Sequence, residues 1–293
     1  MIGAAVDVGS NSVHLLVARI NDDGLTYLRD ESELLGLGDV VDADGTIPED
    51  AQLVLIHSLE TYRDVARSEG AERVTFVATE PLRRATNGNA VARRVERETG
   101  VELRILPKRD EGRLTFLGVT GGKPVAYQLL VVDIGGGSSE VILYSPEAGL
   151  GVTGLATGSN RLSTEFVDHD PPTKREIAKL RSAAAELAAK LPLASPTRAV
   201  FVGGTATNIV KLRPLATESF DAIFKEISAT PAPKLAARFG LRLRRALQLA
   251  AGAALAEAIL NRYRLAAADV SDASLRDGAI IAAARESWGT GGA

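Results

Sequence analysis

Short apolar runs and longer stretches of helical period alternate along the first half of the chain. Ile2 to Val6 and Val13 to Ile20 flank a glycine-containing turn, the pattern of two paired strands. Asn21-Asp22-Asp23-Gly24 is a turn signal, and Leu25 to Arg29 reads as a third strand. Pro48-Glu49-Asp50 marks a helix start. Leu53, Ile56, Leu59, Tyr62 and Ala66 then share one helical face, and Gly70 supplies the end. Arg73 to Ala78 reads as a strand, Ala90 to Thr99 as a polar helix stopped by Gly100, Val101 to Leu106 as a strand, and Asp110 to Val119 as a short helix. Alternation of this kind predicts a mainly parallel sheet with helices on its faces.

Thr120-Gly121-Gly122-Lys123-Pro124 is the best linker, and the pattern restarts after it. Strands are predicted over Val125 to Val132, Glu140 to Tyr144 and Arg198 to Val202. Helices are predicted over Lys174 to Lys190 (after Pro171-Pro172-Thr173), Arg245 to Leu260 and Leu275 to Ser287. Gly289 to Ala293 reads as a frayed tail. A length of 293 residues suits two domains. The restart places them at 1–124 and 125–293, in the manner of a duplicated unit.

Composition narrows the class. Hydrophobic residues make up 45% and charged residues 24%, an ordinary globular mixture. A net charge of -3 argues against a general nucleic-acid binder. The absence of cysteine excludes disulfides, thiolate metal sites and a cysteine nucleophile. No stretch reaches the ~18 uncharged apolar residues of a membrane span, and the N-terminus has no basic segment of the secretory kind. The expectation is a cytoplasmic protein with no membrane partner.

The candidate chemistry lies in three turns that follow strands. Asp7-Val8-Gly9-Ser10-Asn11-Ser12 is the first, Asp133-Ile134-Gly135-Gly136-Gly137-Ser138-Ser139 the second and Gly203-Gly204-Thr205-Ala206-Thr207 the third. Glycine lets backbone N–H groups approach phosphate oxygens, and hydroxyls add donors. An aspartate at a strand end beside such a loop suits Mg²⁺, which takes carboxylate and phosphate oxygens. Asp7 and Asp133 hold equivalent positions, and an Asx-type turn cap is the plainer use for either. Ser10, Asn11, Ser138 and Ser139 are candidate phosphate donors.

Glu111 follows a strand end at Leu106. It could deprotonate a water, or serve as a helix N-terminal acid favoured by the dipole. Arg83 and Arg84 could clamp phosphate, or line a solvated loop. Basic residues also cluster at Arg242, Arg244 and Arg245, placed to hold a few phosphates farther along a chain. His14, His57 and His169 are scattered and make no zinc cluster. Neither a lysine-containing P-loop nor a nucleophile elbow is present.

These segments together carry a resemblance. DVGSNSVHLL from Asp7, ATEPLRRATN from Ala78, DEGRLTFLGV from Asp110, VDIGGGSSE from Val132, GGTAT from Gly203 and VSDASLRDG from Val270 follow the order of the exopolyphosphatase/guanosine pentaphosphatase family. The sequence resembles that family, which is related to actin, heat-shock chaperones and sugar kinases.

The resemblance implies an α/β fold of two ribonuclease-H-like (actin-like ATPase) domains with an interdomain cleft, the last helix packing back on the first domain. It implies Glu111 as catalytic base, and Asp7, Asp133 and Glu140 around Mg²⁺, or Mn²⁺ in its place. Phosphate would be held by Gly9, Ser10, Asn11, Arg83, Gly135, Gly136, Gly137, Ser138, Gly204 and Thr205.

Two departures stand out: Glu80-Pro81 where the family usually has Ser-Ala, and Asp110 where a first glutamate is usual. Longer relatives carry a further helical region beyond this length. The activity implied is release of terminal phosphate from inorganic polyphosphate, with short chains favoured. Guanosine pentaphosphate is the alternative substrate, and a non-catalytic binder of polyphosphate or alarmone is the competing class. A homodimer could extend the basic surface.

Overall fold

The computed structural model describes residues 1–285; the predicted end of the last helix and the tail, 286–293, lie outside them. The chain divides into two compact units, 1–124 with the segment from 273, and 125–272.

In the first unit β1 (Ile2–Val8), β2 (Ser12–Asn21) and β3 (Gly24–Leu34) form an antiparallel meander. Then come α1 (Leu37–Asp44), α2 (Glu49–Ser68), β4 (Arg73–Ala78), α3 (Glu80–Arg84), α4 (Gly88–Thr99), β5 (Leu103–Ile105) and α5 (Lys108–Thr120). The sheet order is β3-β2-β1-β4-β5, with β4 parallel to β1 and β5 parallel to β4.

The second unit has β6 (Leu129–Ile134), β7 (Ser139–Ser145), β8 (Gly149–Leu155), α6 (Ser159–Phe166), α7 (Lys174–Ala189), β9 (Arg198–Val202), α8 (Gly203–Ile209), α9 (Phe220–Ala229), α10 (Ala232–Phe239), α11 (Leu243–Leu247), α12 (Leu249–Arg262) and β10 (Asp269–Ser271). Its order is β10-β9-β6-β7-β8, again three antiparallel strands followed by two parallel ones. One strand plan used twice is the α/β, ribonuclease-H-like architecture.

Both sheets are mixed, which corrects the expectation of mainly parallel strands. The hairpin signals at Gly9 to Asn11 and Asn21 to Gly24 are local, whereas strand direction depends on the crossovers. The predicted strand over Val101 to Leu106 shrinks to three residues, pairing with its neighbour only from Leu103, and Pro107, which cannot donate to a ladder, closes its far end. The predicted helix over Arg245 to Leu260 is two helices meeting at Gln248. The strand β8 escapes periodicity because glycine holds three of its seven positions.

Apolar side chains cover the first sheet on both faces. Ala4, Val6, Leu15 and Val17 pack with Leu55, Leu59 and Val91 on one face. Ala5, Leu16, Ala18 and Val77 pack with Leu114, Ala279 and Ile280 on the other. The last two belong to α13 (Leu275–Ala284), which closes the first unit against α5 and β1. Ser274 caps α13 in a capping box with Asp277. Tyr27 donates to Asp277 at 2.5 Å, and Arg276 reaches Asp30 at 2.5 Å and the Leu15 carbonyl at 3.2 Å.

The approach of α13 to α5 depends on two glycines. A Cβ at Gly278 would lie 1.8 Å from the Leu114 carbonyl oxygen, and one at Gly118 2.2 Å from that of Ser274. Backbone atoms cannot yield as a side chain does. Gly278→Ala should therefore cost about 3 kcal/mol, the upper end for overpacking. A urea melt reads this as a lowered midpoint, and an unchanged midpoint would contradict the packing described.

Candidate functional site

The first unit gathers its predicted residues at the C-terminal ends of its three parallel strands, where open α/β sheets place ligands. Asp7 is the penultimate residue of β1. The turn that follows closes with the Gly9 N–H donating to the Ser12 carbonyl at 3.0 Å. The Asn11 carbonyl accepts from Leu35 and Gly36, and the Ser10 carbonyl accepts from Gly38 at 2.7 Å, so the chain after β3 braces the turn. From β4 the chain passes Thr79, whose N–H donates to the Val8 carbonyl, into α3. Its first turn carries Glu80 and its last Arg83 and Arg84, so the segment is helical and not a solvated loop. From β5 the chain runs through Pro107 into α5, and Glu111 falls in the first turn.

Arg83 and Glu111 meet. The Arg83 Nη1 donates to Glu111 Oε2 at 2.9 Å and to the Leu106 carbonyl at 2.6 Å, while its buried Nη2 has no hydrogen-bond partner among the described residues. Glu111 is 9% exposed. Burial raises its carboxyl above the ordinary range, and the Arg83 charge and hydrogen bond oppose that rise. Asp7 is half-buried as a residue, but its Oδ1 is sealed from solvent without a partner. Burial first, then the charge of Glu111, pushes the Asp7 carboxyl up to about 7, with Arg276 opposing.

The second unit repeats the hairpin. Asp133 is the penultimate residue of β6 and stands opposite Glu140 on β7; Gly135 N–H donates to the Ser138 carbonyl at 3.0 Å. The Gly135 carbonyl accepts from Ser159, and the Gly136 carbonyl from Asn160 and Arg161, which fixes the loop against the start of α6. Glu140 and Ser138 are buried.

The third predicted turn is instead the start of α8. Gly203 has φ +81°, and a Cβ there would lie 2.6 Å from Asp133 Oδ1, so glycine admits the carboxylate. Thr205 is buried, with its hydroxyl 3.3 Å from that of Ser159.

Some participants get their place only from the fold. Arg245, expected in a basic cluster away from the turns, has its guanidinium against Gly204, where a Cβ would come within 2.9 Å of Nη2. Burial, then Arg244 and Arg242, lowers its proton affinity, and Asp133 opposes that. Ser159 and Gly38 enter only through the fold, and so does the role of Arg276 within the VSDASLRDG segment. Among the described residues no three histidine, aspartate or glutamate side chains gather as a ready-made metal site. Asp133 and Glu140 belong to the second unit and Asp7 to the first.

Comparison with known proteins gives this geometry its family. The pattern of the Ppx/GppA phosphatase family matches residues 16–286. The chain is 34% identical to Exopolyphosphatase 1 of Mycobacterium tuberculosis over 299 residues, covering 94% of this chain and 86% of that one. The crystal structure of the Aquifex aeolicus Ppx/GppA family member superposes with a TM-score of 0.86 at 28% identity, covering 99% of each chain. An exopolyphosphatase from Cytophaga hutchinsonii shares the fold at a TM-score of 0.85 and 23% identity, over 98% of each chain. Among the described residues no helix is long and apolar enough to cross a membrane. The chain belongs to the Ppx/GppA phosphatase family and is a hydrolase.

Proposed function

We propose that the chain hydrolyses the terminal phosphoanhydride bond of inorganic polyphosphate. The observation that carries this reading is the buried Arg83–Glu111 pair, whose guanidinium keeps one nitrogen without a partner. A carboxylate with raised proton affinity is a better base than a solvated one, and a buried unsatisfied N–H is a donor waiting for an anion. Glu111 accepts a proton from water as its oxygen attacks the terminal phosphorus. The bridging P–O bond breaks, orthophosphate leaves, and the shortened chain departs as an anion. Arg83 Nη2 donates to a phosphate oxygen and offsets the charge that gathers there.

The oxygen donors suit Mg²⁺, with Mn²⁺ next. Asp7 in the first unit carries a buried carboxylate oxygen without a partner, and the second unit presents Asp133 opposite Glu140. When bound, the metal would neutralise phosphate charge.

Short chains are the preferred substrates in this reading. The net charge is -3, and Arg83 and Arg84 each face a carboxylate, which weakens the pull of this part of the first unit on a long polyanion. The test is orthophosphate release from tripolyphosphate, long polyphosphate and guanosine pentaphosphate, with Mg²⁺ and with a chelator. The expected order is tripolyphosphate first, with activity lost in the chelator. Asp133→Asn should raise the Mg²⁺ concentration needed. Full activity in the chelator would remove the metal from the reading. Preference for guanosine pentaphosphate would replace the substrate.

A further inference from the structure

Glu80 is a carboxylate whose charge reaches Glu111 and which the proposed chemistry does not use. It is 7% exposed at the first position of α3. Ser10 Oγ donates to its Oε2 at 2.8 Å, and Arg84 Nε donates to its Oε1 at 2.6 Å. Arg84 extends the network to Asp42 at 2.7 Å and to the Gly38 carbonyl at 3.4 Å.

A serine hydroxyl has one hydrogen. Given to Glu80, it is withheld from phosphate, and the oxygen presents lone pairs instead. Arg84 is committed in the same way, to two carboxylates. The Glu80 charge also reaches Glu111, whose proton affinity it raises.

We infer that Glu80 is a specificity-determining residue. Its carboxylate takes the place of a substrate phosphate against Ser10 and Arg84, and so limits the negative charge this wall of the first unit accepts. This rests on the phosphate-cleaving reading above. Its consequence is that removing the carboxylate frees the Ser10 hydroxyl and the Arg84 Nε for substrate, while Arg84 stays paired with Asp42. A site that has lost an internal anion binds polyphosphate more tightly. Because tighter binding is shared by ground and transition states, the gain falls in KM more than in kcat.

The test uses tripolyphosphate as probe and two measurements. Calorimetry gives its Kd for the full chain carrying Glu111→Gln, alone and combined with Glu80→Ser, Glu80→Gln or Asp42→Asn. Steady-state kinetics of the proteins with Glu111 intact give KM and kcat.

Glu80→Ser should lower Kd and KM by about tenfold, as expected for removing one like charge from a partly dried site. Glu80→Gln keeps an acceptor for Ser10 and should give a smaller gain. It also serves if the serine variant melts early. Asp42→Asn removes the same formal charge from the exposed end of the network and should change Kd by less than about twofold.

Equal or weaker binding by both Glu80 variants would overturn the inference. So would a gain from Asp42→Asn as large as that from Glu80→Ser. If the unaltered chain releases no orthophosphate, the hydrolytic reading fails by itself, and the Kd comparison still decides the role of Glu80.

Discussion

Glu111→Gln should lower kcat on tripolyphosphate by about 10²–10⁴-fold, the usual loss for a positioned general base. The amide keeps an oxygen to accept from Arg83 Nη1, now 2.9 Å from Glu111 Oε2, so the guanidinium stays placed. What is lost is the proton acceptor, a contribution made in the transition state. kcat and kcat/KM should therefore fall together while the melting temperature stays close to that of the parent. Burial raises the Glu111 carboxyl, so the acid limb of the parent's pH–rate profile should lie above the ordinary carboxylate range. Orthophosphate-release kinetics from pH 4 to 9 read both effects. Turnover within a few-fold of the parent would remove Glu111 from the chemistry.

Asp7→Asn should stabilise the fold while it harms function. The folded structure pushes the Asp7 carboxyl from its ordinary 3.8 up to about 7. Between those values the unfolded chain has released a proton that the folded chain still holds. Stability falls as pH rises through that window and then levels above about pH 7. A rise of that size corresponds to about 4 kcal/mol, and the partial exposure of Asp7 reduces this to about 3 kcal/mol. Asparagine has no ionised form and escapes the loss.

In the absence of divalent cations, urea melts at pH 5, 6, 7 and 8 should show the Asp7→Asn protein gaining on the parent as pH rises. Curves that stay parallel across the series would contradict the burial of Asp7. The same carboxylate is the one proposed for Mg²⁺, and stability given up at this position is consistent with a ligand that favours its ionised form.

Much of the candidate site is legible where its signals are local. The Asp7 and Asp133 hairpins announce themselves because an apolar run, an aspartate and a glycine turn sit within ten residues. They fold alike: in each the aspartate is penultimate in its strand and a glycine N–H closes the turn. Glu111 could be placed at a helix start for the same reason. Its partner could not, because Arg83 lies twenty-eight residues away and only the side-by-side order of β4 and β5 brings them together.

The other misreadings share that origin. Gly203-Gly204-Thr205 reads as a turn by composition, yet it begins a helix, and its glycines are there because Asp133 and Arg245 come close to its backbone. Glu80 is visible in the sequence as a charge where the resembled family usually has serine. Its meaning depends on Ser10, seventy residues earlier, and on Arg84 one helical turn later.

The most direct measurement of the central claim follows where the water goes. The purified chain is incubated with Mg²⁺ and tripolyphosphate in oxygen-18 water, and the products are weighed by mass spectrometry before exchange can occur. Attack at the terminal phosphorus with Glu111 as base predicts one labelled oxygen in each orthophosphate released and none in the pyrophosphate left behind, with release collapsing in the Glu111→Gln protein. Label in the pyrophosphate, or undiminished release from the Glu111→Gln protein, would contradict the account.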